Sequence, residues 1–310
     1  MNSKHPILEK INLLSTIITV SLFIMIVTCT ELLAKDSIQN SNWTMIVIDA
    51  ENLITRMNNS DVIVVDARPE KEYQQGHIDN AINIPVKKTY SETTPKDRVG
   101  SVEQIQRIFG QAGISNNTHV VIYDDGTFIN AARLMWVFEV YGHTRVSVLN
   151  IGLPGWIAAG YKTSTSNTSL AAKQFLAVVK TSRLSTKFST MLALNNNEKI
   201  IIDARSEDEY LGKTSKSHRH GHIPNSISLP WTVNIDKESN QLKSIAELKK
   251  IYAHVNKDKN VITYCNKGRQ SSLTYLALRR LGYSVSHYDG SWYEWGNDAS
   301  LPITVIEDKK

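Results

Sequence analysis

The chain has 310 residues, 41% of them hydrophobic and 21% charged, with a formal net charge of +5. That length accommodates about two domains, and the apolar content excludes a disordered chain. The mild, dispersed positive charge carries no nucleic-acid footprint but suits the attraction of a small anion.

In chain order, the first feature is "INLLSTIITVSLFIMIVTCT", Ile11 to Thr30, which has no charged residue and follows Lys4 and Lys10. An uncharged helix of about 20 residues can span a bilayer core. The basic flank favours a cytoplasmic N-terminus with the remainder exported. Residues 1–40 therefore read as a signal peptide or an uncleaved membrane anchor, placing the domains in the periplasm or on the outer face of the cytoplasmic membrane. With Cys29 in that leader, Cys265 is the single cysteine of the exported part. A lone exported cysteine reads as a reactive thiol or an unpaired remnant.

The rest of the chain is written twice. "VIVVDARPEKEYQQGHIDNAINIPV" from Val62 returns as "KIIIDARSEDEYLGKTSKSHRHGHIPNSISLPW" from Lys199. "VVIYDDG" from Val120 returns as "VITYCNKG" from Val261, and the segment ending at Trp156 returns ending at Trp295. Three motifs at near-constant offsets indicate a duplicated domain. The second copy carries an insertion that includes "SHRHGH", and the Ser/Thr-rich stretch from Lys162 reads as the linker.

Each copy alternates strands and helices. "VIVVD", "VVIY" and "VSVL", like "IIID", "VITY" and "VSHY", are short β-branched runs typical of strands buried on both faces. "NAARLMWVFEVYGH" and "SSLTYLALRRLGY" have helical spacing and end at Gly142 and Gly282. Such alternation implies a mainly parallel sheet with helices on both faces. Ligands of such sheets bind beyond the carboxyl ends of the strands, and Cys265 stands at such an end.

A helix starting near Ser271 turns its free N–H groups and positive dipole end toward the Cys265 loop. Consecutive loop amides form an anion cradle, Gly268 permits the sharp turn, and Lys267 and Arg269 add positive charge. Surroundings of this kind favour a thiolate. The bland alternative is a buried cysteine acting as a small hydrophobe.

Together, "DARSEDEY", "GHIPNSISLPW", "ITYCNKGRQSS" and "YDGSWYEW" resemble the rhodanese superfamily of sulfurtransferases. The duplicated layout is similar to its tandem members, the thiosulfate and 3-mercaptopyruvate sulfurtransferases. The resemblance implies an α/β fold of two rhodanese-like domains, a silent one at 43–161 and a catalytic one at 176–305, joined by a linker at 162–175. It implies a persulfide relay on Cys265, from a small anionic sulfur donor to a thiol or cyanide, with no metal or organic cofactor. The silent first copy agrees, because Asp124 stands where Cys265 does. The loop Asn266, Lys267, Gly268, Arg269 and Gln270 is then the substrate cradle, and a monomer is expected. Asn266 and Lys267 occupy positions where the thiosulfate type has two cations and the mercaptopyruvate type has small residues. Lys267 leans toward thiosulfate, with 3-mercaptopyruvate as the alternative donor.

Two rival functions remain at this stage. A phosphatase of this fold needs Arg six residues after Cys to clamp phosphate, and Ser271 stands there. A non-enzymatic sulfur carrier or redox sensor is the second rival. Arg219, in the insertion, either faces the anionic donor or is solvated. Arg205 either pairs with Asp203 or reaches the pocket. The alternating His218, His220 and His222 read as an exposed loop, with His222 equivalent to His77; a metal site is the other reading.

Overall fold

In the computed structural model, which describes residues 45–95 and 97–306, the β-branched runs become strands closed on both faces. The first copy contains β1 (Val47–Ile48), α1 (Ala50–Ile54), β2 (Val62–Asp66), α2 (Glu70–Gln75), β3 (His77–Ile78), β4 (Ile82–Asn83), α3 (Val102–Gln111), β5 (His119–Tyr123), α4 (Ile129–Val140), β6 (Val146–Leu149), α5 (Leu153–Ala158) and β7 (Thr163–Ser164). The second contains β8 (Leu184–Ser185), α6 (Lys187–Ala193), β9 (Lys199–Asp203), α7 (Glu207–Tyr210), β10 (Ser226–Ser228), β11 (Ile235–Asp236), β12 (Gln241–Leu242), α8 (Ile245–Ile251), β13 (Asn260–Tyr264), α9 (Ser271–Arg280), β14 (Val285–Tyr288) and α10 (Ser291–Trp295). The uncharged run Ile11 to Thr30, with its expected export role, lies outside the described residues. No helix among the described residues is long and apolar enough to cross a membrane.

Both copies build one topology. The strand order is β1-β6-β5-β2-β4 in the first sheet and β8-β14-β13-β9-β10 in the second. Every pairing within these two sheets is parallel. Strands β2 and β5 are buried at every position, as a sheet covered on both sides requires. Helices α4 and α9 are each followed by a glycine in the left-handed region, Gly142 at φ 83° and Gly282 at φ 79°, which caps the helix and turns the chain.

The copies share one core. Phe109, Trp136 and Phe138 of the first copy belong to the same buried cluster as Leu273, Leu276 and Leu278 of the second. At the α4–α9 contact, buried Glu139 accepts hydrogen bonds from Tyr275 and from Arg279 Nη2, the latter at 2.8 Å. The Ser/Thr-rich connection is fastened to the first copy. Strand β7 pairs antiparallel with β3, Phe175 is buried, and the amides of Val178 and Lys180 donate to the carbonyls of Tyr141 and Val140. The helix pairing brings the N-terminal ends of α4 and α9, and the loops before them, to one side of the shared core.

Two buried histidines give this fold a pH signature. Burial, with the nearby charges of Arg145, His143 and Arg56, lowers His119 to about 3. Burial lowers His143 to about 4 against hydrogen bonds with Arg145 and Thr118. An unfolded chain protonates histidine near pH 6.5. Between pH 6.5 and 4 the unfolded state therefore binds more protons, and stability falls as pH falls. Unfolding free energies from urea titrations at pH 7 and pH 5 should differ by about 4 kcal/mol through these two rings; equal values would contradict the buried neutral state of both rings.

Candidate active site

Cys265 follows β13 directly, at the carboxyl edge of the second sheet, and is only 1% exposed. Its amide donates to Ser291 Oγ at 3.2 Å, and its carbonyl accepts from the Trp292 amide at 2.9 Å. The Asn266 carbonyl accepts from the Tyr293 amide at 2.9 Å. The start of α10 thus grips the start of the thiol loop. Ser291 holds φ 52°, an uncommon conformation for a residue with a side chain, and its hydroxyl donates to the Tyr288 carbonyl at 2.8 Å.

Gly268 turns the loop at φ 71°, and a Cβ there would meet the Asp289 carbonyl at 2.8 Å. Its own carbonyl accepts from Arg133 Nη1 at 2.9 Å and from Ser272 Oγ at 3.1 Å. The amides of Lys267, Gly268, Arg269 and Gln270 have no acceptor among the described residues. The first copy shows what such a loop binds. There Asp124 Oδ1 accepts from the amides of Gly126 at 2.9 Å and Phe128 at 3.1 Å. Asp124 Oδ2 accepts from Asn130 at 3.0 Å and Ala131 at 3.1 Å. Burial and the neighbouring Asp125 push Asp124 up to about 6, and these amide bonds oppose the shift. The first cradle is filled by its own carboxylate, and the second presents a thiol at the equivalent position.

The cradle residues are brought together as a single loop. Asn266 Nδ2 donates to Glu209 Oε1 at 2.8 Å, Lys267 Nζ lies 4.0 Å from the Tyr293 ring centroid, and Arg269 Nη2 donates to Asn130 Oδ1 of the first copy at 2.7 Å. Gln270 immediately precedes α9.

Arg205 and Arg219 do not join them, which corrects the expectation that they contact substrate. Arg205 is fully buried, with Nη2 2.6 Å from Asp203 Oδ2 and 2.8 Å from the Gly221 carbonyl, under the Trp292 ring. Arg68 repeats that arrangement with Asp66 and Gly76. Both pairs brace the turn after their strand, where a bidentate ion pair fixes geometry. Arg219 donates to the carbonyls of Trp295, Gly296, Asp298 and Leu301. Its charge is used up on main-chain oxygens, so the insertion staples α10 and the segment beyond it. His222 stacks on Tyr210 and bonds the Tyr210 carbonyl, as His77 does with Tyr73. His220 bonds the Gly212 carbonyl.

Several site residues escape a reading of the sequence. Arg133, on α4 of the first copy, is fully buried and lies 2.7 Å from Asp289 Oδ1 as well as bonding Gly268. Asp289 Oδ2 accepts from the Val99 amide at 2.7 Å. Burial raises Tyr90, with Arg133 and Arg269 pulling it down and Asp289 and Cys265 pushing it up, so its hydroxyl belongs to the same electrostatic neighbourhood as the thiol. Burial pushes the Glu209 carboxyl up, but hydrogen bonds from Asn266 and Ser206 and the charge of Arg205 outweigh it and hold the group below the usual range. The Ser271 hydroxyl pairs with His287 Nε2 at 2.7 Å beneath the loop; burial and Arg133 hold His287 well below its usual value, hence neutral. Arg133 and Tyr90 lie in the other copy, and nothing in the local pattern points across a domain boundary. The "YDGSW" segment, which occurs once in the chain, was the available signal for Ser291.

The rhodanese-like domain model matches residues 49–159 and 188–298, the two copies described above. The chain belongs to the rhodanese-like family. It is 32% identical over 245 residues to the putative thiosulfate sulfurtransferase SseA of Mycobacterium leprae, covering 76% of this chain and 82% of that protein. It is 29% identical over 264 residues to the thiosulfate sulfurtransferase of Pseudomonas aeruginosa, covering 84% of this chain and 97% of that protein. Among solved structures, SseA of Escherichia coli, described as a 3-mercaptopyruvate sulfotransferase, superposes with a TM-score of 0.72 at 27% identity, over 80% of this chain and 99% of that one. The tandem rhodanese fold is therefore shared with that solved structure.

The filled first cradle makes a prediction. Asp124→Asn retains size but replaces one acceptor oxygen with a donor facing amides that already donate. It should destabilise the protein by about 1–3 kcal/mol, the cost of leaving buried donors unpaired. Chemical denaturation at pH 7 measures this, and an unchanged midpoint would show that the carboxylate does not hold the loop.

Proposed function

We propose that this sulfurtransferase takes a sulfane sulfur from thiosulfate onto Cys265 and passes it to cyanide or a thiol. One observation carries the reading: Cys265 stands where, in the other copy, a carboxylate satisfies a ring of loop amides. In the first half-reaction the Cys265 thiolate bonds to the outer sulfur of thiosulfate. The S–S bond of the donor breaks, and its electron pair leaves with sulfite, which needs no proton. The resulting anionic persulfide is met by the amides of residues 267–270, donors already aimed before substrate arrives. The acceptor then bonds to the outer sulfur and Cys265 returns to thiolate. Relatives named thiosulfate sulfurtransferase support this donor.

A second donor, 3-mercaptopyruvate, is favoured by the likeness to the Escherichia coli enzyme. Its leaving enolate benefits from a proton donor, a demand that the sulfite leaving group of thiosulfate does not make. Arg269 and Lys267 together favour a compact dianion, through charge-assisted bonds worth roughly 1.5–3 kcal/mol each.

Thiocyanate formation from thiosulfate and cyanide should show parallel double-reciprocal lines and vanish in Cys265→Ser. Lys267→Ala should lower kcat/KM for thiosulfate by ~10–100-fold and lower that for 3-mercaptopyruvate much less. Activity persisting in Cys265→Ser would overturn the relay. A wild-type preference for 3-mercaptopyruvate, or an unchanged donor ratio in Lys267→Ala, would overturn thiosulfate as the donor.

A further inference from the structure

The duplication allows the two cradles to be compared position by position beneath the loop. Ile122 on β5 pairs with Val148 on β6, and Thr263 on β13 pairs with His287 on β14. Phe128 at φ 59° and Gly268 at φ 71° mark the same bend in the two loops, and Gly142 and Gly282 follow the same helix. Both pairs share one offset along the chain, and that offset matches Ala131 to Ser271. All six side chains, Ile122, Ala131, Val148, Thr263, Ser271 and His287, are 0% exposed. The trio of the first copy is apolar, and the trio of the second is polar.

Burying a polar group without a hydrogen bond costs stability, so the second trio has to find partners. It finds them within itself. Ser271 Oγ lies 2.7 Å from His287 Nε2, and Thr263 Oγ1 donates to the Ser271 carbonyl at 3.4 Å. His287 Nδ1 has no partner among the described residues. An orphaned acceptor is tolerated better than an orphaned N–H, which puts the proton of the neutral ring on Nε2, donating to Ser271. Packing does not require this polarity, because the same backbone plan closes over apolar side chains in the first copy.

The polar trio supports the cradle from below. Ser271 opens α9, and the amide of its counterpart Ala131 donates to Asp124 Oδ2 at 3.1 Å. A Cβ on Gly268 would meet His287 Cε1 at 3.1 Å, so the ring lies directly against the loop. It meets the Trp136 ring of the first copy edge to face, with centroids 4.8 Å apart. In the first copy the Asp124 carboxylate holds the loop amides together. Cys265 carries no such group, and its loop has to be held in another way.

We propose that Ser271 and His287, with Thr263, are positioning residues that pin the first turn of α9 so that its N–H groups stay aimed at Cys265, stabilising first the thiolate and then the persulfide. The proposal rests on the sulfur relay for the persulfide, but its effect on the thiolate can be read without it. Positive helix ends lower a thiol's pKa only while they point at it.

The test installs the first copy's own residues in the second, as Thr263→Ile/Ser271→Ala/His287→Val, beside Ser271→Ala and Ser271→Thr. In each full-length protein, iodoacetamide alkylation of the Cys265 peptide is followed against pH, sulfur gain from thiosulfate is timed by mass, and folding is checked by urea titration. Arg133, Asp289, Lys267 and Arg269, the charged groups around the loop and the pair, are the same in every protein. In the triple variant and in Ser271→Ala the alkylation midpoint should rise by about 0.3–1 pH unit and loading should slow by about 2–10-fold, the range one hydrogen bond spans. Ser271→Thr, which returns the hydroxyl, should recover most of both. A triple variant that folds, or loses stability, with midpoint and loading unchanged would overturn the proposal, as would Ser271→Thr behaving like Ser271→Ala. If the triple variant does not fold, Ser271→Ala decides by the same midpoint. A wild-type chain that gains no sulfur would overturn the relay instead, and the alkylation midpoints would still decide the positioning role.

Discussion

Four amides converge on the carboxylate of Asp124, two on each oxygen. That contact is what the strand–loop–helix unit of this fold is shaped to make. A parallel strand ends, the chain curls so that successive N–H groups point inward, and a helix starts with its own N–H groups unpaired. The geometry is complete only when something negative accepts those bonds. In the first copy the chain supplies the anion itself and the unit becomes structural. In the second copy Cys265 stands at the equivalent point, and under the proposed function the negative group is a thiolate, a persulfide or a bound substrate. One residue type thus separates a closed structural loop from an open chemical one on the same backbone plan.

An open loop needs outside support, and the first copy provides much of it. Arg133 reaches from α4 to the Gly268 carbonyl and to Asp289. Asn130 holds Arg269, and the Val99 amide holds Asp289. Within the second copy, Ser291 and the Trp292 amide fix Cys265 itself. The insertion reinforces that side, because Arg219 ties down the carbonyls at the end of α10. The shared α4–α9 core sets the position of all these groups. The Cys265 loop leans on the first copy, whose residues form most of the wall of the cavity lined by Arg269.

The strands and the duplication were legible because β-branched runs and repeated motifs are local signals. The position of Cys265 at a strand end followed from the same pattern, as did the Asp124 equivalence. Helix limits came out shorter than the periodic segments: α4 ends at Val140 and α9 at Arg280, and the residues after them form the turns into the next strand. Arg219 misled because a cation beside a motif says nothing about where its donors go. The insertion folds back on main-chain carbonyls and consumes them. Arg205 was open between two readings, and the bidentate pair with Asp203 decides for the structural one. Arg133, Asn130 and Tyr90 could not be found, since their roles exist only once the two copies are packed together.

The most direct measurement is the mass of the intact protein after exposure to thiosulfate and removal of excess donor, with peptide mapping of any added sulfur. The account predicts a gain of one sulfur atom per chain, located on the peptide containing Cys265, and no gain in Cys265→Ser. Sulfur retained by Cys265→Ser, or a wild-type chain that gains none, would contradict it.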